Sequence, residues 1–183
     1  MNERVNLNHQ RVKVSSGFTM LELLFVTVAA ALLFLASFGL YKLAYNNAVV
    51  TNTIRLITTI KSQSQISYAN SGDYGVASLI PTLRAKQAFP ADVLNAAGNP
   101  VDPWRNVIAI QGNNQVFNIG FTSVPTQFCM RLGPAFTQAD TDFSSLSVGS
   151  GPVIFNDTNP ITIAGLEAAC TSAANAQMIW SFF

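Results

Sequence analysis

A long, uninterrupted apolar segment dominates the first quarter of the chain. Between Leu23 and Tyr41, 19 consecutive residues carry no charged side chain and no proline. As an α-helix this segment would be roughly 28 Å long, close to the ~30 Å hydrocarbon core of a bilayer. The pattern predicts a transmembrane helix over residues 18–41 that is apolar on all its faces.

From Lys42 the pattern becomes amphipathic, which predicts that the helix continues over residues 42–70. Its apolar stripe, spaced by four, three and three residues, consists of Val50, Ile54, Ile57 and Ile60. Polar positions away from this stripe are Asn47, Thr51, Lys61 and Ser62. A cluster of helix-terminating residues over 70–75 predicts where the helix ends. We expect the stripe to pack on the core of a domain formed by residues 71–183, in preference to forming a groove for a partner.

Short helical and strand patterns alternate in the next part of the chain. Pro81 and Pro90 favour one or two short helices within residues 76–99. Strand patterns at Val107–Gln111 and Val116–Ser123 flank a turn sequence at residues 112–114, which predicts a β-hairpin.

The remaining predicted elements lead to an aromatic strand that ends the sequence. They are a short helix over 125–132, a loop-rich region over 133–159 with one strand at 153–155, a helix over 161–174, and the strand at 178–183. We expect this last strand to be central and buried. The aromatic residues predicted to serve packing are Trp104, Trp180, Phe182 and Phe183.

Charge is distributed unevenly along the chain. Residues 1–17 carry a net charge of +2, from Arg4, Arg11 and Lys13 against Glu3. From Phe18 onward, seven Lys or Arg and eight Asp or Glu give −1. A positive segment before an apolar run keeps the N-terminus in the cytoplasm, by the positive-inside rule. We therefore expect the chain beyond the apolar segment to be exported.

Glu22 is an isolated carboxylate at the start of the apolar segment. A charge within a lipid-facing helix costs about 2 to 3 kcal/mol even on lenient insertion scales. The side chain either reaches the membrane interface or has a specific positive partner. Taken alone, Glu22 fits an interfacial carboxylate at the end of a membrane helix and a paired carboxylate equally well.

The two cysteines, Cys129 and Cys170, both lie in the part expected to be exported. Under oxidising conditions such a pair favours one disulfide that closes a loop of about 40 residues, worth about 4 kcal/mol by loop entropy. Two buried free thiols are the alternative. Neither cysteine belongs to a C-x-x-C motif, which argues against redox catalysis and a zinc site.

Little in the sequence favours catalysis. His9 is the only histidine and precedes the apolar segment, so the exported part has no imidazole for a Ser-His or Cys-His pair. Phosphate-binding and dinucleotide-binding glycine motifs are missing, and the dispersed cations do not predict nucleic-acid binding. Asp140 and Asp142 favour a solvated turn over a metal site. We expect no enzyme activity, no cofactor and no metal.

The sequence Gly17-Phe18-Thr19-Met20-Leu21-Glu22, followed by the apolar run, resembles the class III signal of type IV prepilins. The resemblance implies that a prepilin peptidase cleaves between Gly17 and Phe18 and methylates the new amino group of Phe18. It also implies that Glu22 forms the assembly salt bridge with that amino group. A 17-residue leader is similar to those of the type IVb subgroup.

A second resemblance covers the rest of the chain and is to the PilS-type branch of type IVb pilins. The motifs that carry it are Asn99-Pro100, Pro103-Trp104, Phe117-Asn118-Ile119, Val124-Pro125 before Cys129, Ala168-Ala169-Cys170 and the final aromatic strand. Arg105 and Asn106 stand where that branch usually has a glycine pair. The implied fold is α+β: a long N-terminal helix on a small antiparallel sheet, with a C-terminal region bounded by a disulfide.

The resemblance implies a structural function. The chain would be a leader (1–17), a filament-core helix (18–41), an amphipathic continuation (42–70) and a globular domain (71–183). It would be a single-pass inner-membrane precursor and then the subunit of an extracellular pilus for adhesion, cell contact or conjugative transfer. Its partners would be copies of itself, the peptidase, and the assembly platform with its ATPase.

Two alternatives stay open at this stage. The first is a minor pilin or a secretion-system pseudopilin. The second is a membrane-anchored periplasmic binding module with a single span, which leaves the residues from Gly17 to Glu22 as a coincidence.

Overall fold

The structure is a computed structural model that describes residues 19–136, 141–149, 153–172 and 175–183. Gly17, Phe18 and Asp140 lie outside the described residues, as does His9. The chain divides into two units, residues 1–44 and 45–183, which are described separately below.

One helix, α1 (Met20–Tyr68), runs through both units. The predicted helix over residues 18–69 is confirmed within the described residues. In the first unit every residue from Thr19 to Ala44 is exposed. Thr19 precedes the first turn, and its hydroxyl accepts a hydrogen bond from the Glu22 amide at 3.3 Å. Threonine three residues before glutamate is the sequence of a helix N-cap, which explains why the helix begins here.

The second unit is built on a five-stranded antiparallel sheet with the order β1-β2-β5-β3-β4. The strands are β1 (Ala109–Asn113), β2 (Val116–Pro125), β3 (Phe143–Val148), β4 (Val153–Phe155) and β5 (Asn175–Phe182). The helices beyond α1 are α2 (Ile80–Ala85), α3 (Thr126–Leu132) and α4 (Ile163–Thr171), with 3-10 turns at Ala91–Val93 and Gly133–Phe136. This is the α+β fold that the sequence predicts.

The predicted central strand is confirmed. β5 pairs with β2 on one side and with β3 on the other, and its burial alternates along its length. Trp180 and Phe182 are fully buried on its inner face. The prediction for Phe183 is wrong, because this side chain is 55% exposed. Trp104 is partly buried, and its ring packs at a tilt against that of Phe128, with the ring centres 5.3 Å apart.

The prediction of a single strand within residues 133–159 is wrong, because β3 also forms there. The buried residues of β3 do not alternate strictly with its more exposed ones. The register against β5 shifts between Phe143 and Ser145, so an irregularity interrupts the period of two. Three serines among its six residues further weaken the apolar signal.

The buried face of α1 differs from the apolar stripe that the sequence predicts. Its buried residues are Val49, Thr53, Leu56, Ile57, Ile60, Lys61 and Ser64. Ile57 and Ile60 are confirmed as core residues, but Val50 and Ile54 are only partly buried. Lys61, predicted to lie off the stripe, is only 8% exposed because its ammonium group has partners at the sheet.

Candidate functional site

The first candidate site is the exposed apolar surface of the first unit. Side chains from Met20 to Leu43 that would be core residues in a soluble protein are 50% or more exposed; examples are Phe25 at 65%, Leu33 at 70% and Phe38 at 66%. Continuous apolar surface of this extent marks a surface that contacts lipid or protein. Among the described residues, α1 is the one helix long and apolar enough to cross a membrane, by length and composition.

Glu22 interrupts this surface at its N-terminal end. It lies in the first turn of α1, where the partial positive charge of the helix terminus favours a carboxylate. Among the described residues no cation pairs with Glu22. The structure does not place Glu22 relative to Phe18, which lies outside the described residues, so the predicted salt bridge remains a prediction.

The second candidate site is a polar cluster between α1 and the sheet, where Lys61 and Gln65 meet Asp142. The Lys61 ammonium lies 3.4 Å from the Asp142 carboxylate and 5.2 Å from the centre of the Phe182 ring. Gln65 Nε2 donates to Asp142 Oδ2 at 3.2 Å and to the Phe183 carbonyl at 2.9 Å. These contacts join α1 to the start of β3 and the end of β5.

The electrostatics of this cluster favour the ionised carboxylate. The hydrogen bond from Gln65 and the charge of Lys61 lower the pKa of Asp142 below its ordinary value, although partial burial opposes them. Burial and the nearby Asp142 carboxylate raise the pKa of Tyr74. The sequence pattern predicts that Asp142 lies in a solvated turn, but the structure places this carboxylate against Lys61 and Gln65.

Asp102 is a buried carboxylate that organises the loop around Trp104. It is 4% exposed and accepts hydrogen bonds from the backbone amides of Trp104, at 2.9 Å, and Asn106, at 2.8 Å. Burial raises its pKa, and these hydrogen bonds oppose the increase. Arg105 has a φ of 69°, a left-handed conformation that favours glycine. This conformation agrees with the glycine pair that the PilS-type branch usually has at this position.

The two cysteines form the predicted disulfide. Cys129 in α3 and Cys170 in α4 are both fully buried, with their Cα atoms 5.9 Å apart. The Thr126 hydroxyl also donates to the Cys170 carbonyl at 3.3 Å. The alternative of two free thiols is therefore wrong. The bridge fixes the two helices that flank the C-terminal part of the sheet.

Within the described ranges, no three His, Cys, Asp or Glu side chains lie close enough to hold a metal ion. The two candidate sites offer an apolar surface and a structural ion pair. Such groups support binding and assembly, and they supply no paired acid and base or activated nucleophile.

Comparison with known proteins identifies the family of this chain. A family model described as PilS N terminal matches residues 45–182, three quarters of the chain. Among curated proteins there is no match.

Solved structures of type IV pilins share the fold. TcpA, a type IV pilin from Vibrio cholerae El Tor biotype, superimposes with a TM-score of 0.55 at 12% identity, over 73% of this chain and 98% of that one. A type IV b pilin from Salmonella typhi gives a TM-score of 0.55 at 14% identity, over 71% and 97%. The match to the family model confirms the predicted resemblance to the PilS-type branch. The chain therefore belongs to the PilS family, and its fold is that of a type IV pilin.

Proposed function

We propose that this chain is a type IVb prepilin that is cleaved between Gly17 and Phe18 and then polymerises through α1 into an extracellular filament. The observation that carries the proposal is the first unit, in which an apolar helix surface is exposed along its whole described length. Such a surface needs lipid around it before assembly and neighbouring helices afterwards.

The proposed domain order follows from this use of the helix. Residues 1–17 are the leader, 18–41 the membrane-spanning and filament-core segment, 42–70 the continuation that anchors the domain, and 71–183 the globular domain. The precursor has its N-terminus in the cytoplasm and one span in the inner membrane, in agreement with the positive charge of residues 1–17. The prepilin peptidase, the assembly platform and its ATPase are its proposed partners.

Glu22 supplies the register for assembly. In lipid the helix is already removed from water, so apolar contacts between helices add little net free energy and permit sliding. Cleavage after Gly17 creates a positive amino group on Phe18. At ~4 Å and an effective dielectric constant of about 20, its attraction to Glu22 is about 4 kcal/mol. An unpaired charge in the core penalises every other stagger.

Shearing of cells tests this function. We expect intact protein in sheared filaments, shorter than the full chain by the 17 residues of the leader. Gly17→Val should abolish the shortening and the filaments together, whereas Ser16→Ala, one residue before Gly17, should preserve both. A chain that stays in the membrane fraction at full length would instead indicate an anchored periplasmic module. A small number of copies at filament ends would indicate a minor pilin or a pseudopilin.

A further inference from the structure

Arg131 is an exposed cation that the fold of the second unit holds beside α1. Its Nη2 donates a hydrogen bond to the side-chain oxygen of Asn47 at 2.7 Å. Glu167 on the neighbouring helix α4 is exposed, and among the described residues no carboxylate pairs with Arg131. A guanidinium group has five N–H donors, so most of them are directed to surroundings outside the domain.

The helix that carries Arg131 is fixed in place by the core. Cys129, two residues earlier in α3, is fully buried and forms the disulfide with Cys170. Phe128 and Leu132 of the same helix are also buried. A side chain on a fixed element, with one hydrogen bond already made, loses less conformational freedom on binding than an unrestrained side chain does. Arg131 is therefore preorganised for a contact.

The sequence on both sides of this contact contains cations but no acid. No Asp or Glu lies between Glu22 and Asp73, a range that includes α1 beyond its first turn. Similarly, none lies between Asp102 and Asp140, a range that includes α3. The local charge is positive, which favours an anionic partner.

The position of Asn47 along the chain brings this contact close to a membrane surface. The uncharged segment that we propose to span the membrane ends at Tyr41, and Asn47 follows six residues later, after about 9 Å of helix. The headgroup layer adds about 5 to 8 Å on each side of the hydrocarbon core. Tyr41 and Tyr45, one turn apart, are exposed and belong to a residue type that is enriched at this interface. An arginine held at Asn47 therefore lies within reach of lipid phosphates.

We propose that Arg131 binds the phosphate group of an anionic phospholipid, so that α3 docks the domain on the membrane surface before assembly. The planar guanidinium group matches the geometry of phosphate through paired N–H donors and keeps its charge at every physiological pH. The partner is always present, because the span anchors the domain beside the headgroups. The inference rests on the membrane span of the proposed function, and on neither cleavage nor polymerisation.

Energy transfer from a fluorophore on α3 to labelled lipid headgroups measures this docking. The full-length chain is inserted into vesicles of phosphatidylcholine, with or without a minor fraction of phosphatidylglycerol. The fluorophore is attached to Gln127→Cys, an exposed position one helical turn before Arg131. We expect higher transfer in the vesicles that contain phosphatidylglycerol. This increase should disappear at high salt, because salt screens a contact between exposed charges.

Arg131→Gln should lower the docked population about fivefold, as expected for the loss of one cation at an anionic surface. Glutamine keeps an amide donor for Asn47, and Arg131→Lys, which keeps the charge, should retain most of the docking. Lys86→Gln is the matched control. Lys86 is also an exposed cation bound to α1, through the Ser67 carbonyl at 3.1 Å, but Ser67 lies 20 residues beyond Asn47, or about 30 Å of helix. This variant should dock as the wild type does.

Three results would overturn the inference. They are equal transfer in vesicles with and without phosphatidylglycerol, equal docking by the Arg131→Gln and Lys86→Gln variants, and transfer that rises only with the density of protein in the membrane. The last result would assign Arg131 to a contact with a second copy of the chain. A chain that does not float with the vesicles would contradict the membrane span itself, so a failure of docking and a failure of the proposed function are distinguishable.

Discussion

Glu22 and Asp142 are two carboxylates with different surroundings. Asp142 finds Lys61 and Gln65 within its own chain, at 3.4 and 3.2 Å. Glu22 lies exposed on an apolar helix, and among the described residues no cation pairs with it. A carboxylate that is paired within the chain, as Asp142 is, stabilises the domain. The partner that we propose for Glu22 is the amino group of Phe18 after cleavage.

Glu22→Val is expected to leave membrane insertion intact and to reduce sheared filaments more than tenfold. Valine removes the charge that fixes register and makes the helix easier to insert. The measurement is the amount of chain in membrane and sheared fractions. Glu22→Asp retains the charge and should retain more assembly than Glu22→Val. Normal filaments from Glu22→Val would refute the pairing with Phe18.

Asp142→Asn is expected to lower the free energy of unfolding by about 1 kcal/mol at neutral pH, because the ion pair between Lys61 and Asp142 is lost. The effect is modest since Asp142 is itself 46% exposed. Urea denaturation of the full chain in detergent measures it. The control is Asp157→Asn, an exposed turn residue expected to be neutral.

The same carboxylate sets a pH dependence. Because the folded state lowers the pKa of Asp142, its contribution is complete well above the ordinary carboxylate pKa and is lost as the pH falls through the lowered value. The stability difference between the wild type and Asp142→Asn should therefore narrow in acid. A difference that stays constant from neutral pH to pH ~2 would contradict this role.

At the residue scale, a partner could be predicted where the sequence offers only one candidate. Cys129 and Cys170 are 41 residues apart, but they have only each other to pair with. Lys61 and Asp142 are far apart in sequence and meet only when α1 lies on the sheet. A local pattern therefore assigned both to solvent.

At the scale of elements, helices and strands were predicted correctly where their apolar residues recur at regular spacing. The hairpin of β1 and β2 and the central β5 follow from such regular patterns. The stripe on α1 is displaced because Thr53, Lys61 and Ser64 are buried by contact with the domain although they are polar. β3 was missed because its register shift interrupts alternation.

Gly112 lies close against the backbone of the loop at Tyr74 and Gly75. A Cβ at this position would collide with the Tyr74 carbonyl oxygen and lie 2.7 Å from that of Gly75. The loop is held there because the Gly112 amide donates to the Ala77 carbonyl at 3.0 Å. Gly112 was predicted as part of the turn, but it lies within β1, so its role is this close contact.

Gly112→Ala is expected to destabilise the domain by about 2 to 3 kcal/mol, because backbone must move to admit the methyl group. Gly120→Ala, on the same hairpin, is the control and should change stability by less than about 0.5 kcal/mol, since its Cβ meets only ordinary contacts. Denaturation midpoints of the two variants compare them directly. Equal midpoints would contradict the close approach.

At the scale of the whole molecule, the chain combines two units with different needs. Residues 45–183 bury their apolar side chains internally and close a disulfide, whereas the described part of residues 1–44 buries none. Lipid and copies of the same chain are the two environments that we propose for the first unit. We propose that the chain moves from the first to the second after its leader is removed.

Mass spectrometry of the N-terminal peptide from sheared surface filaments tests this proposed transfer. We expect a peptide that begins at Phe18 and carries a methyl group on its amino nitrogen, in cells that contain a prepilin peptidase. In cells without the peptidase the chain should retain the residues before Phe18 and remain in the membrane. A filament subunit that begins anywhere other than Phe18, or begins there without the peptidase, would contradict the proposed maturation.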